Sequence, residues 1–183
     1  MIETNKTILF DINKILDKIN IVNKQKIADF GCGNFGFFVF PLAKLVGKEG
    51  KVYAIDILKK ALDEIKNQAE SHNLSQIETM WSDLEIFKGT KIETASLDAV
   101  ILINFLNQLD KRLTTLQEAS RLIKTGGKIL IVDWKNTDTP LAQVIKKRVE
   151  SKELKEECSR LGLKVDDEFE AGPYHFGLIL KKL

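Results

Sequence analysis

Histidine and cysteine are scarce in this chain of 183 residues, which has two of each. Cys32 and Cys158 lie far apart and form no C-x-x-C pair. Neither a disulfide framework nor a metal site is therefore expected, and a reducing, cytoplasmic setting fits. Long apolar runs are also missing. The opening residues, MIETNKTILFDINK, lack the apolar stretch of a signal peptide, and no later segment has the length of a membrane span. Neither sign of charge dominates, since 28 Lys+Arg against 26 Asp+Glu leave a net +2. A nucleic-acid partner is not expected, because such binders carry a basic excess or a basic face. The one dense basic cluster, Lys146-Lys147-Arg148, reads as a solvated helix face. No repeat or low-complexity tract interrupts the chain.

What is present has the composition of an ordinary globular protein, 44% hydrophobic and 30% charged. Residues 1–183 are expected to form one domain, with a helical segment over 1–24 leading into a core over 25–183. Short apolar, β-branched runs alternate with stretches of helical period. Ile12, Ile15, Leu16 and Ile19 mark a first helix. A strand over Lys26–Phe30 then runs into the glycine cluster, and the next helix ends near Gly47, with Pro41 tolerated close to its start.

Further strands are expected over Lys51–Ile57, near Ile77–Trp81, over Leu97–Ile103 and over Lys128–Asp133. Between them, one helix carries Leu58, Leu62, Ile65 and Ala69. Another carries Leu109, Leu113, Leu116, Ala119 and Leu122 and is stopped by Gly126-Gly127. The near-continuous apolarity of Leu97–Ile103 suits a central strand covered on both faces. Ser151 is expected to cap a last helix bearing Leu154, Cys158 and Leu161 and ending at Gly162. Two final strands, Leu163–Phe169 and His175–Leu180, are separated only by Glu170-Ala171-Gly172-Pro173. No crossover helix fits there, so this pair must be antiparallel. The sum is an α/β layered fold whose mostly parallel sheet ends in one antiparallel strand.

Gly31-x-Gly33-x-x-Gly36 sits between an expected strand and an expected helix, and Asp56 ends the next strand, 56 − 36 = 20 residues beyond the third glycine. Glycines let the backbone turn tightly and let a ligand approach it closely. The following helix offers free N–H groups, and a carboxylate at the second strand's tip can accept from both hydroxyls of a ribose. An adenosine-containing ligand over the carboxyl edge of the sheet is the expectation. A nicotinamide cofactor would satisfy the same spacing. Three details favour S-adenosylmethionine. Asp29 would repel a pyrophosphate but attract the amino group of a methionine. Asp83 can accept from an adenine amino group, and the chain leaves no length for a second substrate domain.

The stretch Ile27-Ala28-Asp29-Phe30-Gly31-Cys32-Gly33-Asn34-Phe35-Gly36 resembles the first motif of class I methyltransferases. Val52–Asp56 resembles their second motif, Ser82-Asp83 their third, and Leu97–Val100 with Asn104-Phe105-Leu106 their fourth. Arg121–Leu130 is similar to the glycine turn before their fifth strand, with Thr125 where proline is common. The likeness covers essentially the whole chain and leans toward the branch of ubiquinone and menaquinone C-methyltransferases. It implies a Rossmann-like three-layer fold, a seven-stranded sheet of order 3-2-1-4-5-7-6 with an antiparallel last strand, and S-adenosylhomocysteine as product. It also implies that Asp29, Gly31, Cys32, Gly33, Asn34 and Gly36 surround the methionine part and that Asp56 holds the ribose. Ile57, Asp83 and Leu84 would meet the adenine, and Asn104 and Phe105 would border the sulfonium.

The acceptor side carries less signal. Methyl transfer from a sulfonium needs alignment and exclusion of water more than an acid or base. Where many relatives have paired histidines after the fourth strand, this chain has Asn107-Gln108, and the cysteine set of arsenic methyltransferases is absent. His72 reads as solvated surface. Pro173-Tyr174-His175-Phe176 and Asp133-Trp134-Lys135 should reach the ligand edge. Trp134 and Tyr174 are thus candidates for the pocket of a small-molecule acceptor. His175 is either a general base or a structural residue at a strand start. Residues 136–150, with Pro140, would form a short acceptor lid. A non-catalytic cofactor-binding or regulatory domain, and an NAD-dependent oxidoreductase, are the alternatives to methyl transfer; the oligomeric state is left open.

Overall fold

The computed structural model describes residues 10–135 and 148–183. Lys146, Lys147, Pro140 and most of the expected lid lie outside the described residues, as do residues 1–9 of the expected N-terminal segment.

Strand β4 (Leu97–Ile103) is almost wholly buried because strands flank it on both sides and helices cover both its faces. It pairs in parallel with β1 (Lys26–Phe30) and β5 (Ile123–Trp134). Outward from β1 lie β2 (Lys51–Asp56) and β3 (Ile77–Trp81), also parallel. Beyond β5, strand β7 (His175–Lys182) runs antiparallel both to β5 and to β6 (Leu163–Glu170). The order β3-β2-β1-β4-β5-β7-β6 is the one expected. Helices α1 (Ile12–Ile19) and α2 (Val39–Val46) cover one face together with Ile65 of α3 (Lys59–Ser71). Helices α4 (Arg112–Leu122) and α5 (Ser151–Arg160) cover the other. In α1 all four expected apolar residues are buried, and the Asp11 carboxylate caps it by accepting from the Lys14 amide at 3.3 Å.

Three local expectations are corrected. β5 does not begin at Lys128 but at Ile123, directly after α4. Leu97 pairs with Ile123, the register breaks, and pairing resumes at Ala99 and Lys128. An ion pair between Lys124 and Asp98 pins the intervening bulge, and Asp98 also accepts from the Lys26 amide at 2.8 Å. In α4, Leu109 precedes the helix and Leu113 faces solvent, because a 3₁₀ turn over Leu106–Gln108 takes up the start of the expected helix. Ser151 is the first residue of α5 rather than its cap; its hydroxyl donates to Glu168 at 2.7 Å and so ties α5 to β6.

Sequence periodicity also hid Glu118, a fully buried carboxylate on α4. It accepts from the amides of Lys88 (2.9 Å) and Thr90 (3.3 Å), from the Thr90 hydroxyl, and from two nitrogens of Arg121 at 2.9 and 2.7 Å. Burial alone would raise its pKa, yet the hydrogen bonds from Arg121, Thr90 and Lys88 hold it below the ordinary value. Glu118→Ala leaves buried donors unmet and should cost about 2–4 kcal/mol, read as a lowered urea midpoint with unchanged slope. A cost near zero would show that the loop over residues 88–90 is held by other means.

Candidate functional site

Parallel pairing brings the ends of β1, β2, β4 and β5 to one edge of the sheet, and the charged and glycine residues of the sequence collect there. After Phe30 the chain turns through Gly31 and Gly33, at φ +72 and +62, a conformation that favours glycine. The Gly31 and Cys32 amides donate to the Ile55 carbonyl at 2.9 and 3.2 Å, which fastens the turn to β2. The two glycines serve different purposes. The Phe105 ring packs directly on Gly31, leaving no room for a Cβ, whereas a Cβ at Gly33 would meet no atom within 4 Å. Gly33 therefore borders open space. Gly36 is also left-handed and lies against Phe40.

Asp56 is held by two backbone donors: the Gly33 amide reaches one oxygen at 3.0 Å and the Leu58 amide the other at 2.9 Å. Each oxygen keeps a lone pair for a further donor. Beside it, Asp29 is 3% exposed; burial and the nearby Asp56 carboxylate push its pKa up to about 8. Cys32 is next to both. Burial and the same two carboxylates raise its thiol pKa well above the ordinary value, so it carries no thiolate for nucleophilic chemistry. Asp83 accepts from the Glu85 amide at 2.9 Å in the turn after β3. Leu84 is 4% exposed and belongs to the core under α4, so the expectation that it meets a ligand directly is not reflected in its position. Ile57 (53%), Leu58 (64%) and Trp81 (54%) are apolar yet exposed along the Asp56 end of the edge, and the Trp81 indole donates to the Ile57 carbonyl at 2.8 Å.

A cleft of about 280 Å³ opens at this edge. Asp29, the glycine turn, Asn34, Asn104 and Gln108 give it a polar end; Phe10, Phe35, Phe37, Phe38 and Ile103 give it an aromatic wall. Asn104 takes φ +52, and its side-chain oxygen is buried with no partner among the described residues. The Gln108 amide holds the Asn104 carbonyl at 2.6 Å. The aromatic wall was not foreseen. Phe35 lies inside the glycine motif and Phe37 and Phe38 just before α2, and nothing local signals that they or Phe10 would face this edge.

The acceptor-side candidates are at the same edge, though none of them lines this cleft. Trp134 ends β5, Tyr174 is half-buried in the bend before β7, and its carbonyl accepts from the Lys135 amide at 2.8 Å. His175 is fully buried between the rings of Trp134 and Phe10. Neither of its nitrogens has a partner among the described residues, which costs about 1–3 kcal/mol for each buried polar atom. Burial and the Lys135 charge lower its pKa to about 4, so it stays neutral at ordinary pH and is a weak base. Asp133, also fully buried, accepts from the amides of Trp134 (2.8 Å) and Asn107 (3.2 Å), while burial lifts its pKa to about 6.

The strand order with its reversed β7, the glycine turn over an open cradle, and the carboxylates ending β1 and β2 define the class I, Rossmann-like methyltransferases. The comparisons agree. A family model described as a methyltransferase domain matches residues 21–172, and the chain belongs to that family. A demethylmenaquinone methyltransferase of Oceanobacillus iheyensis is 27% identical over 119 residues, 64% of this chain and 48% of that protein. A tRNA N(3)-methylcytidine methyltransferase of Schizosaccharomyces pombe is 30% identical over 69% of this chain and 42% of its own length. The chain thus spans about half the length of these curated relatives. The crystal structure of a SAM-dependent methyltransferase from Aquifex aeolicus superposes with a TM-score of 0.82, covering 96% of this chain and 91% of that one at 24% identity.

The two glycines yield a contrast. Gly31→Ala combines left-handed strain with overlap of the Phe105 ring and should destabilise the chain by about 2–4 kcal/mol; Gly33→Ala carries the strain alone, about 1 kcal/mol. Thermal unfolding of the two variants checks this. Equal losses would mean that Phe105 moves aside freely.

Proposed function

We propose that this chain transfers a methyl group from S-adenosylmethionine to a small organic acceptor, releasing S-adenosylhomocysteine. The observation that carries this reading is the open cradle at Gly33 with Asp56 fixed on one side of it and buried Asp29 on the other. When bound, the sulfonium supplies an activated methyl group and its own leaving group, so the protein needs to bind, align and exclude water. Asp29 and the unpartnered oxygen of Asn104 would meet the amino group of the methionine part, with Gly31, Cys32, Asn34 and Gly36 shaping the space around it. Asp56, already oriented by two amides, would accept from the ribose hydroxyls. Ile57 would lie against the adenine, and Asp83 and the Leu84 backbone would face its polar edge. Phe105, packed on Gly31, would border the sulfonium, and Trp134 and Tyr174 the acceptor. A pyrophosphate-bearing cofactor suits this cleft poorly, because Asp29 at its floor can only be neutral or negative.

Calorimetry with S-adenosylmethionine, S-adenosylhomocysteine and NAD is the direct check. The sulfur compounds should bind in the micromolar range and NAD should not, and Asp56→Ala should weaken binding at least about 30-fold through loss of charge-assisted hydrogen bonds. Folded protein that binds neither sulfur compound would end this reading.

Asp29 adds a pH signature. Its folded-state value lies above the unfolded one, so the folded free protein holds the extra proton, and stability falls as pH rises from about 4 through 8. A cationic amino group favours the carboxylate. Affinity should therefore climb by up to about tenfold per pH unit between roughly pH 5.5 and 7.5, with release of a proton on binding. Heats measured in buffers of different ionisation enthalpy read that proton. Asp29→Asn should unfold at a higher temperature than the parent at pH 7.5 and yet bind more weakly, without the pH slope. Proton uptake on binding would contradict the assignment.

A further inference from the structure

Alternation along the strands puts Asp29, Ile103, Trp134 and His175 on one face of the sheet. Their partners at steps of two (Ile27, Ile101, Val132 and Ile179) all belong to the core under α1 and α2. The cleft lies on that face, above β1 and β4. Going outward it should continue over the end of β5 and the start of β7, where Trp134 pairs with His175. Among the described residues, one side chain stands between the two. The Phe10 ring lines the cleft on one side and on the other meets the imidazole edge-on, with centroids 5.0 Å apart and planes at 84°. The indole of Trp134 lies 4.0 Å from the imidazole, at 42°.

Nothing among the described residues requires His175 to be polar. An apolar residue of similar size would fill the same gap between two aromatic rings, whereas a neutral imidazole leaves a donor and an acceptor unmet there among the described residues. No described carboxylate orients it, as a general base would need. We infer that His175 is the residue that recognises the methyl acceptor, by a hydrogen bond to a hydroxyl on a flat, uncharged ring, and that the Phe10 ring is the partition that such a ring displaces. This inference rests on the methyltransferase reading of the cleft. The flatness follows from the wall of the cleft, Phe35, Phe37, Phe38 and Ile103, and from the Trp134 indole that stands beyond the cleft against the imidazole. The absence of charge follows from Lys135, whose charge acts on His175, being already paired with Glu170.

The chain has two histidines, so its imidazole ¹⁵N spectrum can be assigned with a single variant, His72→Gln. The probes are 2-naphthol and naphthalene, which share a ring system and differ by the hydroxyl, titrated into the protein saturated with S-adenosylhomocysteine. 2-Naphthol should move the His175 signals and bind at least tenfold tighter than naphthalene. In His175→Leu that ratio should fall below threefold while the unfolding temperature rises. Phe10→Ala should bind 2-naphthol more tightly than the parent, since the partition is already gone. Unmoved His175 signals at saturation, a ratio that persists in His175→Leu, or no binding of 2-naphthol would each overturn the inference. The imidazole signals of the parent decide the matter even where His175→Leu fails to fold. Failure to bind S-adenosylhomocysteine is read separately and would fall on the cofactor reading instead.

Discussion

The arrangement of this site depends on β1 being paired in parallel on both sides, with β2 and with β4. Parallel pairing makes all three strands end at one edge, and burial of β1 on both faces forbids them from sliding, since a one-residue slip would turn every inward side chain outward. Asp29, Asp56 and Asn104 are therefore set beside one another by backbone register rather than by contacts among themselves. The turn that follows β1 inherits the same rigidity, because the Gly31 and Cys32 amides are tied to the end of β2 through the Ile55 carbonyl.

That rigidity has an electrostatic cost. Two carboxylates at neighbouring strand ends repel each other, and burial makes the repulsion stronger than it would be in water. The chain treats them unequally. Asp56 is given two amide donors, while Asp29 is left to hold a proton, with its pKa near 8. An asymmetric pair of this kind is ready to receive a ligand that brings hydroxyls to one carboxylate and a positive charge to the other. It is not a pair that stability alone would favour.

Much of this was legible in the sequence. The strands and the antiparallel last pair followed from apolar runs of strand length and from a connection too short for a helix, whereas the strand order came only from the resemblance to class I methyltransferases. The glycine turn and Asp56 followed from spacing, because backbone conformation and strand ends leave a local signature. What stayed hidden depends on distant parts of the chain. Glu118 has the look of a solvent-facing helix residue until the loop over 88–90 folds onto it. Ser151 has the look of a cap until β6 arrives to take its hydroxyl. Phe10 lies before the first helix, and only the docking of α1 on the sheet brings it over the cleft. Phe35 and Phe37, at 63% and 54% exposure, carry no periodic signal and become a wall of the cleft only once the glycine turn has folded.

The two edges of the sheet show where the chain is built for stability and where it is not. At the amino edge the polar groups are matched: Asp98 takes the Lys26 amide and the Lys124 ammonium and so locks the bulge of β5. At the carboxyl edge Asn104, Asn107 and His175 keep buried polar atoms without partners among the described residues, and Asp29 and Asp133 carry raised pKa values. Folded proteins satisfy nearly all their buried polar groups, so a cluster of exceptions on one edge is not random error in packing. Two of these groups flank the Phe10 ring, Asn104 in the cleft and His175 behind the ring. On the methyl-transfer reading proposed above, these are the polar atoms that two aligned reactants would meet once water is kept out.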